Sequence, residues 1–193
     1  MVRRVTRPGR ARVATTRAVS DDVVEEFWPT YLAAFAPLAQ RAAARHVLTR
    51  EEFAEEMADE RILKLLARDH EGHPVGLTTL ATDLAAVPWV SPDFHARLYP
   101  EHAARGAIYY VGFTLAHPGR RRSRVFVDML DALIEILVTD RVVCAYDVSR
   151  YNDETLRFAE HLFSRARRTC ELDVDRVDVQ TYYAATFHGP RAT

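Results

Sequence analysis

The sequence predicts a mixed α/β domain with a central sheet flanked by helices. Segments with apolar residues at helical spacing alternate with short runs of β-branched and aromatic residues, and two of those runs are close enough to form a hairpin. The chain has 193 residues, of which 48% are hydrophobic and 27% are charged. This size and composition predict one domain, over residues 11–193, that buries a core.

The first half of the chain predicts a strand, two helices and a hairpin. Residues 11–19 alternate loosely, and residues 21–38 show helical spacing that Pro29 should kink or split. Thr49 and Glu52 form a capping box that opens a second helix ending near residue 59.

The hairpin consists of strands over 62–67 and 74–82 joined by a turn. His70 and His73 lie in that turn, where two histidines raise the question of a metal pair. We interpret them as residues of a solvated turn, because the spacing implies no third ligand.

Residues 83–106 form an unusually long connection that contains three prolines and three aromatic residues. A short helix is predicted around 93–98. Long connections in compact domains are usually functional or poorly ordered, and the aromatic content argues against disorder. This segment is therefore either a lid over a pocket, or a loop that packs on the core or forms a dimer contact.

The second half of the chain predicts four further strands and two helices. The predicted bounds are a strand over 107–116, a helix over 125–138, a strand over 141–148, a helix over 152–165, and a closing strand pair over 169–174 and 177–187. Cys144 lies in an apolar run and is interpreted as a small core residue rather than a nucleophile.

The turn before the 125–138 helix points to an anionic ligand. A helix N-terminus presents unpaired amides and partial positive charge, and Arg121, Arg122 and Arg124 lie beside it, with Ser123 placed to cap the helix. These four residues are predicted to bind phosphate. The alternative is an exposed basic turn, because Lys64 is the only lysine and arginine is the default basic residue of this chain.

The order of these elements over residues 11–188 resembles the GNAT superfamily of N-acetyltransferases. The resemblance implies a central, mostly antiparallel sheet and a site for acetyl-coenzyme A or another acyl-coenzyme A. It also implies that the backbone amide of Leu115 or a neighbour polarises the thioester carbonyl. Arg121 matches a Gln or Arg of the family's pyrophosphate turn, and Asn152 matches an asparagine that helps to hold the cofactor arm.

Several family positions carry other residues. Arg124 and Phe126 stand where the turn usually has glycine or another small residue, and Ala159 replaces a tyrosine that often protonates the departing thiolate. Small residues matter in that turn because the backbone must approach the pyrophosphate closely. The pyrophosphate would then bind partly through arginine side chains, or the site no longer binds coenzyme A.

Acyl transfer to an amine needs a group that accepts a proton from the attacking nitrogen. We expect this catalytic group at Tyr110 or His117, on or just after the fourth strand, although both residue types more often lie at surfaces or in packing contacts. Histidine suits the task because it titrates near pH ~6.5. Further candidates are Tyr109, Asp83, His95, Glu101 and His102.

These observations predict an acyl-coenzyme A-dependent N-acyltransferase acting on an amine of a small molecule or a protein. The alternative is a catalytically silent module of the same fold that binds a ligand or partner, with the 83–106 segment as a possible homodimer surface. The formal net charge of −1 disfavours nucleic-acid binding, although residues 1–10 form a basic arm. No apolar run approaches the roughly 20 residues of a membrane span, so we expect a cytoplasmic protein.

Overall fold

The computed structural model describes residues 11–41, 47–120, 124–155 and 157–186. The predicted basic arm, residues 1–10, lies outside these ranges. Within them, no helix combines the length and the apolar character needed to cross a bilayer.

A five-stranded sheet forms the centre of the fold and confirms the mostly antiparallel arrangement. The strands are β1 (Arg12–Thr16), β2 (Ile62–Arg68), β3 (Pro74–Ala81), β4 (Ile108–Ala116) and β5 (Val143–Ala145). They lie side by side in chain order. The first three neighbouring pairs are antiparallel, and β4 pairs with β5 in parallel.

Helices cover both faces of this sheet. They are α1 (Asp21–Phe35), α2 (Arg50–Ala58), α3 (Pro92–Leu98), α4 (Pro100–Ala104), α5 (Val125–Asp140) and α6 (Phe158–Ala166). On one face, α1 and α2 pack on Leu66, Leu77 and Leu115. On the other, α5 packs on the alternate residues of the same strands, such as Leu65 and Leu80. Two-sided cover explains why the central strands are apolar at nearly every position.

The predicted capping box is confirmed at the start of α2. The Thr49 side chain accepts a hydrogen bond from the Glu52 amide, and the Glu52 carboxylate accepts one from the Thr49 amide. Of the two expectations for Pro29, a kink or a split, the split is wrong, because α1 runs through Pro29 as one element. A short 3₁₀ helix, Ala36–Gln40, follows it.

The hairpin turn is built by one carboxylate. Asp69 Oδ1 accepts hydrogen bonds from the amides of Glu71 and His73, both at 3.0 Å. The ligand-type atoms of these three side chains lie within 4.8 Å of one another. The carboxylate's role in the turn accounts for this grouping.

The 83–106 segment is folded over the sheet rather than extended. It contains the 3₁₀ helix Leu84–Ala86 followed by α3 and α4, and α3 matches the predicted short helix. Leu84 and Val87 are buried against Ile108 and Tyr110 of β4. This packing supports the interpretation of a loop held on the core.

The C-terminal part of the chain departs most from prediction. β5 has only three residues, and residues 171–186 contain no strand. The side chains there are mostly exposed, including Val179 at 62% and Tyr183 at 93%. An alternating apolar pattern predicts a strand only where another backbone pairs with it, and among the described residues none does. The last helix is also shorter, because a separate helical turn, Tyr151–Thr155, precedes α6.

Both cysteines have free thiols. Cys144 lies on β5 and packs against Leu65, Leu80 and Val111. Burial raises the pKa of its thiol to about 12, so the thiolate is not accessible near neutral pH. Cys144 is therefore a packing residue, as predicted.

Candidate active site

β4 and β5, the two parallel strands of the sheet, stop pairing after the third residue of β4. Their register pairs Ile108 with Val143, Tyr109 with Cys144 and Tyr110 with Ala145, and stops there. β4 continues to Ala116. Residues 111–116 therefore present one backbone edge to an opening, which we call the β4–β5 opening, and no described strand occupies it. Unpaired backbone amides and carbonyls on such an edge need a partner.

Strand geometry decides which amides face this opening. The His117 amide donates to the Val75 carbonyl at 2.8 Å, toward β3. Because amide direction alternates along a strand, the Leu115 amide also points to β3, where Leu115 pairs with Leu77. The amides of Thr114 and Ala116 point into the opening.

This alternation distinguishes the two alternatives that the sequence raised for the carbonyl-polarising amide, Leu115 and a neighbour. The Leu115 side chain is buried in the core under α1 and α2, and its amide belongs to the β3 pairing. Of the alternatives raised by the sequence, a neighbouring amide fits the role of polarising a carbonyl.

A β-bulge at Gly112 shapes the middle of β4. Thr79 pairs with Phe113 and Leu80 pairs with Val111, so Gly112 is the extra residue, and it is exposed. A Cβ at this position would lie 2.6 Å from Thr79 Oγ1 and 3.2 Å from Glu56 Oε1. Only glycine leaves room for these two oxygens beside the strand.

The Glu56 side chain reaches this bulge from α2. Its carboxylate accepts a hydrogen bond from the Thr79 hydroxyl, and that hydroxyl also accepts one from the Phe113 amide at 3.2 Å. Burial raises the pKa of Glu56, while Thr79 and the nearby Lys64 ammonium oppose the rise. Sequence analysis missed Glu56, because its position in an acidic helix gives no sign of which glutamate turns inward.

Lys64 is the buried cation next to this carboxylate. Its side chain is completely inaccessible to solvent, and Nζ donates to the carbonyl oxygens of Arg17 at 2.7 Å and Asp59 at 2.5 Å. Burial lowers its pKa to about 8, against the opposing effect of Asp59 and Glu56. Lys64 thus ties β2 to the segments after β1 and α2.

The Lys64 pKa predicts a specific pH dependence of stability. Between about pH 8 and 10.5 the folded protein releases this proton while the unfolded chain keeps it. Since the unfolded state then binds more protons, the Lys64 contribution to the free energy of unfolding rises with pH in this window. We expect wild type to gain stability relative to Lys64→Met between pH 8 and 10.5 in urea unfolding. If the free energies of unfolding of the two proteins changed in parallel with pH, the pKa of Lys64 would be that of an exposed lysine.

Tyr110 connects three segments at the point where β4 and β5 part. Its hydroxyl donates to the Asp147 carboxylate, which follows β5, and accepts from Trp89 Nε1 of the 83–106 segment at 3.3 Å. Burial and the neighbouring carboxylate raise the pKa of Tyr110. A phenol with a raised pKa stays protonated at neutral pH, so this geometry fits a positioning residue better than a base. Asp147 was missed from sequence because its partner is 37 residues away.

His117 lies at the other end of β4. It is seven positions after Tyr110, about 20 Å along a strand, so the two candidates are alternatives and not partners at one reacting atom. His117 Nδ1 accepts a hydrogen bond from the Gly119 amide at 3.1 Å. That contact occupies the lone pair which a neutral imidazole would use as a base.

Four further candidates lie in the 83–106 segment. Asp83 accepts from the Ala85 amide at 2.9 Å and caps the 3₁₀ helix. His95 on α3 is buried, and burial lowers its pKa. Glu101 and His102 lie on α4.

The N-terminus of α5 carries charges of both signs. Arg124, an exposed residue, occupies the N-cap position, and Asp128 lies in the first turn. The Asp128 carboxylate accepts from the Ala11 amide at 3.1 Å. Arg121, Arg122 and Ser123 lie outside the described residues, so the predicted capping role of Ser123 stays a prediction. Arg124 makes no side-chain capping hydrogen bond.

Asn152 and Ala159 lie on two separate helical pieces. Asn152 belongs to the turn Tyr151–Thr155, and its backbone amide donates a hydrogen bond to Ser149 Oγ at 3.3 Å. Ala159 lies in α6, after Arg157 has adopted a left-handed conformation with φ 50°. The break between them follows from that backbone change.

Comparisons with known proteins give structural relatives only. No protein-family model and no curated protein matches the sequence. The ribosomal-protein-alanine N-acetyltransferase of Brucella melitensis biovar Abortus 2308 superposes with a TM-score of 0.52 at 15% identity, covering 89% of this chain and 99% of that one. The aminoglycoside 6'-N-acetyltransferase of Acinetobacter baumannii has a TM-score of 0.52 at 10% identity, covering 91% and 99%.

A third similar structure has a different description. A transcriptional regulator from Bacillus halodurans C-125 superposes with a TM-score of 0.52 at 13% identity, covering 89% of this chain and all of that one. At such identities the likeness concerns architecture, not activity. The chain has the GNAT-like fold that its order of elements suggested.

Proposed function

We propose that the protein transfers an acyl group from acetyl-coenzyme A or another acyl-coenzyme A to an amine. The observation that carries this proposal is the β4–β5 opening, where the amides of Thr114 and Ala116 face outward beside the start of α5. An extended chain with amide groups, such as the arm of coenzyme A, would satisfy this free backbone edge in the manner of an added strand.

The donor would lie along β4 with its thioester near the Gly112 bulge. An amide from the open edge would stabilise the oxygen of the thioester carbonyl as charge develops on it. The pyrophosphate would lie at the α5 N-terminus, held by Arg121, Arg122, Ser123 and Arg124 together with the helix amides. The first-turn carboxylate of Asp128 opposes an anion there, so the arginines would carry more of the binding.

Three further residues have positioning roles in this proposal. Tyr110 would fix the end of the opening through Asp147. Asn152 would contact the cofactor arm from beyond β5. His117, whose Nδ1 is already engaged by Gly119, would present its Nε2 hydrogen toward the phosphate end rather than act as the base.

The acceptor would be an amine of a small molecule or a protein. It would reach the thioester between α2 and the 83–106 segment, whose buried residues pack at opposite ends of the same sheet face. Among the similar structures, one is described as a ribosomal-protein-alanine N-acetyltransferase and one as an aminoglycoside N-acetyltransferase. Both descriptions name amines as acceptors.

Thermal unfolding with coenzyme A, acetyl-coenzyme A and a long-chain acyl-coenzyme A tests the donor site. A ligand at about a hundred times its Kd stabilises the folded state by roughly 2.7 kcal/mol, which corresponds to a Tm increase of about 5–10 °C at this chain length. We expect this increase with at least one donor, and its loss in the Arg121→Ala/Arg122→Ala variant.

The matched control is Arg50→Ala, because Arg50 is an exposed arginine at the start of α2 that pairs with Glu25. It should keep the full ligand-induced increase. No increase with any of the three ligands would refute the coenzyme A site.

A second candidate function is a catalytically silent module that binds a ligand or partner. Two observations favour it: Asp128 in the first turn of α5, and the break before α6 that separates Asn152 from Ala159. The regulator among the similar structures shows that the fold is not restricted to proteins described as acetyltransferases. Absence of a donor-induced Tm change would favour this function.

A further inference from the structure

We propose that Glu56 is the general base that accepts a proton from the acceptor ammonium and so produces the attacking amine. This inference rests on the proposed function. It assigns the role of general base, which the geometry of Tyr110 and His117 does not fit.

The position of Glu56 is the first argument. Its Oε1 lies 3.2 Å from the point where a Cβ on Gly112 would stand, so the carboxylate lies directly against the bulge of β4. That bulge is in the middle of the strand that borders the β4–β5 opening. A thioester bound along β4 would therefore bring its carbonyl carbon close to this carboxylate.

A second observation supports the assignment: polar residues separate two apolar clusters on this sheet face. One buried cluster, under α1 and α2, includes Leu77 and Leu115; the other, under the 83–106 segment, includes Ala81 and Ile108. Lys64 of β2 and Thr79 of β3, which pair with each other, lie between these two clusters. Gly112 is exposed there, so an acceptor can approach the bulge between the two covers.

The third argument is the charge environment of the carboxylate. The groups that face it are the Thr79 hydroxyl from β3, the Lys64 ammonium from β2 and Asp59 at the end of α2. Burial and Asp59 raise the pKa of Glu56 above 4.5, and Thr79 and Lys64 limit the rise. A carboxylate with a raised pKa is a stronger base than an exposed one. The Thr79 contact also fixes its direction.

The chemical step balances with one base. An acceptor ammonium loses one proton to the Glu56 carboxylate, and the resulting amine attacks the thioester carbonyl carbon. A C–N bond forms and the C–S bond breaks. The second proton of the nitrogen goes to the departing thiolate, directly or through water, and Glu56 returns its proton to solvent.

The test compares Glu56→Gln with Glu55→Gln, an exposed glutamate of the same helix. In steady-state transfer from the donor that raises the Tm, Glu56→Gln should lower kcat/KM by about 100-fold or more, as expected for loss of a general base. The wild-type decline of kcat/KM toward acid pH, set by a pKa above that of an exposed glutamate, should disappear. Glu55→Gln should retain both the rate and the pH profile.

Two measurements without turnover separate chemistry from folding and donor binding. Glu56→Gln should keep the donor-induced Tm increase, because the pyrophosphate end is untouched. In the absence of ligand it should be at least as stable as wild type at pH 7, and the difference should shrink toward pH 4.5. The reason is that ionising a carboxylate whose folded-state pKa is raised costs stability as pH increases.

The outcomes distinguish the two proposals. Suppose that wild type shows the donor-induced Tm increase and transferase activity, and that Glu56→Gln has the same rate and pH profile. This result overturns the assignment of Glu56 and leaves the proposed function standing. A wild-type protein with neither Tm increase nor activity overturns the proposed function and this assignment with it. If Glu56→Gln lacked the donor-induced Tm increase that wild type shows, Glu56 would have a structural role. That result would also overturn the assignment.

Discussion

Replacing Phe53 with alanine should destabilise the protein by about 3–5 kcal/mol, the range for removing a large buried aromatic side chain. Phe53 is fully buried on α2, with its ring 4.9 Å from that of Tyr31 and 5.3 Å from that of Trp28. At this chain length the loss corresponds to a Tm decrease of roughly 10 °C. Because the same helix carries Glu56, transferase activity should fall even below the new Tm.

The control for this prediction is Phe53→Leu, which keeps most of the buried volume and should cost clearly less. Thermal unfolding of the three proteins without ligand provides the comparison. If the alanine and leucine variants unfold together near the wild-type temperature, α2 is not anchored through Phe53, and the position of Glu56 needs another explanation.

The second large effect is expected from Gly112→Ala. The new methyl group would lie 2.6 Å from Thr79 Oγ1, well inside contact distance, and Thr79 is fully buried and holds the Phe113 amide. Overpacking of this kind costs about 1–3 kcal/mol. The new methyl group would also lie 3.2 Å from Glu56 Oε1 and displace that carboxylate. We therefore expect kcat/KM to fall by about tenfold or more even where the variant is folded.

A double-mutant cycle with Thr79→Ala tests the cause. Removing the Thr79 hydroxyl relieves the closest contact, so Gly112→Ala should cost less in the Thr79→Ala background than in wild type. Additive losses in urea unfolding would mean that the bulge does not depend on the space beside Thr79. Equal transfer rates for wild type and Gly112→Ala would contradict the placement of the thioester at the bulge.

The described site combines an apolar frame with a small polar centre. Buried clusters anchor α1, α2 and the 83–106 segment on one sheet face. Between them, Lys64 satisfies two backbone carbonyls and Glu56 meets the exposed bulge at Gly112. Burial lowers the pKa of one group and raises that of the other, so both can change protonation nearer to neutral pH than exposed side chains of their types do.

The sequence by itself determined the elements whose signals are local. Helical spacing predicted α1 and α5, the Thr49–Glu52 pair predicted the start of α2, and the turn residues predicted the β2–β3 hairpin. The order of these elements was sufficient for the fold class. Each of these signals depends on residues a few positions apart, which is the range over which backbone propensity and capping act.

Only the tertiary structure decided what meets at the site. Glu56 and Gly112 are brought together by the packing of α2 on β3 and β4. The direction of the Leu115 amide follows from the register of β3 and β4, and Tyr110 finds Asp147 across 37 residues. The predicted C-terminal strands failed for the same reason. An alternating pattern describes one strand, whereas pairing requires a second backbone at hydrogen-bonding distance, and no local signal contains that information.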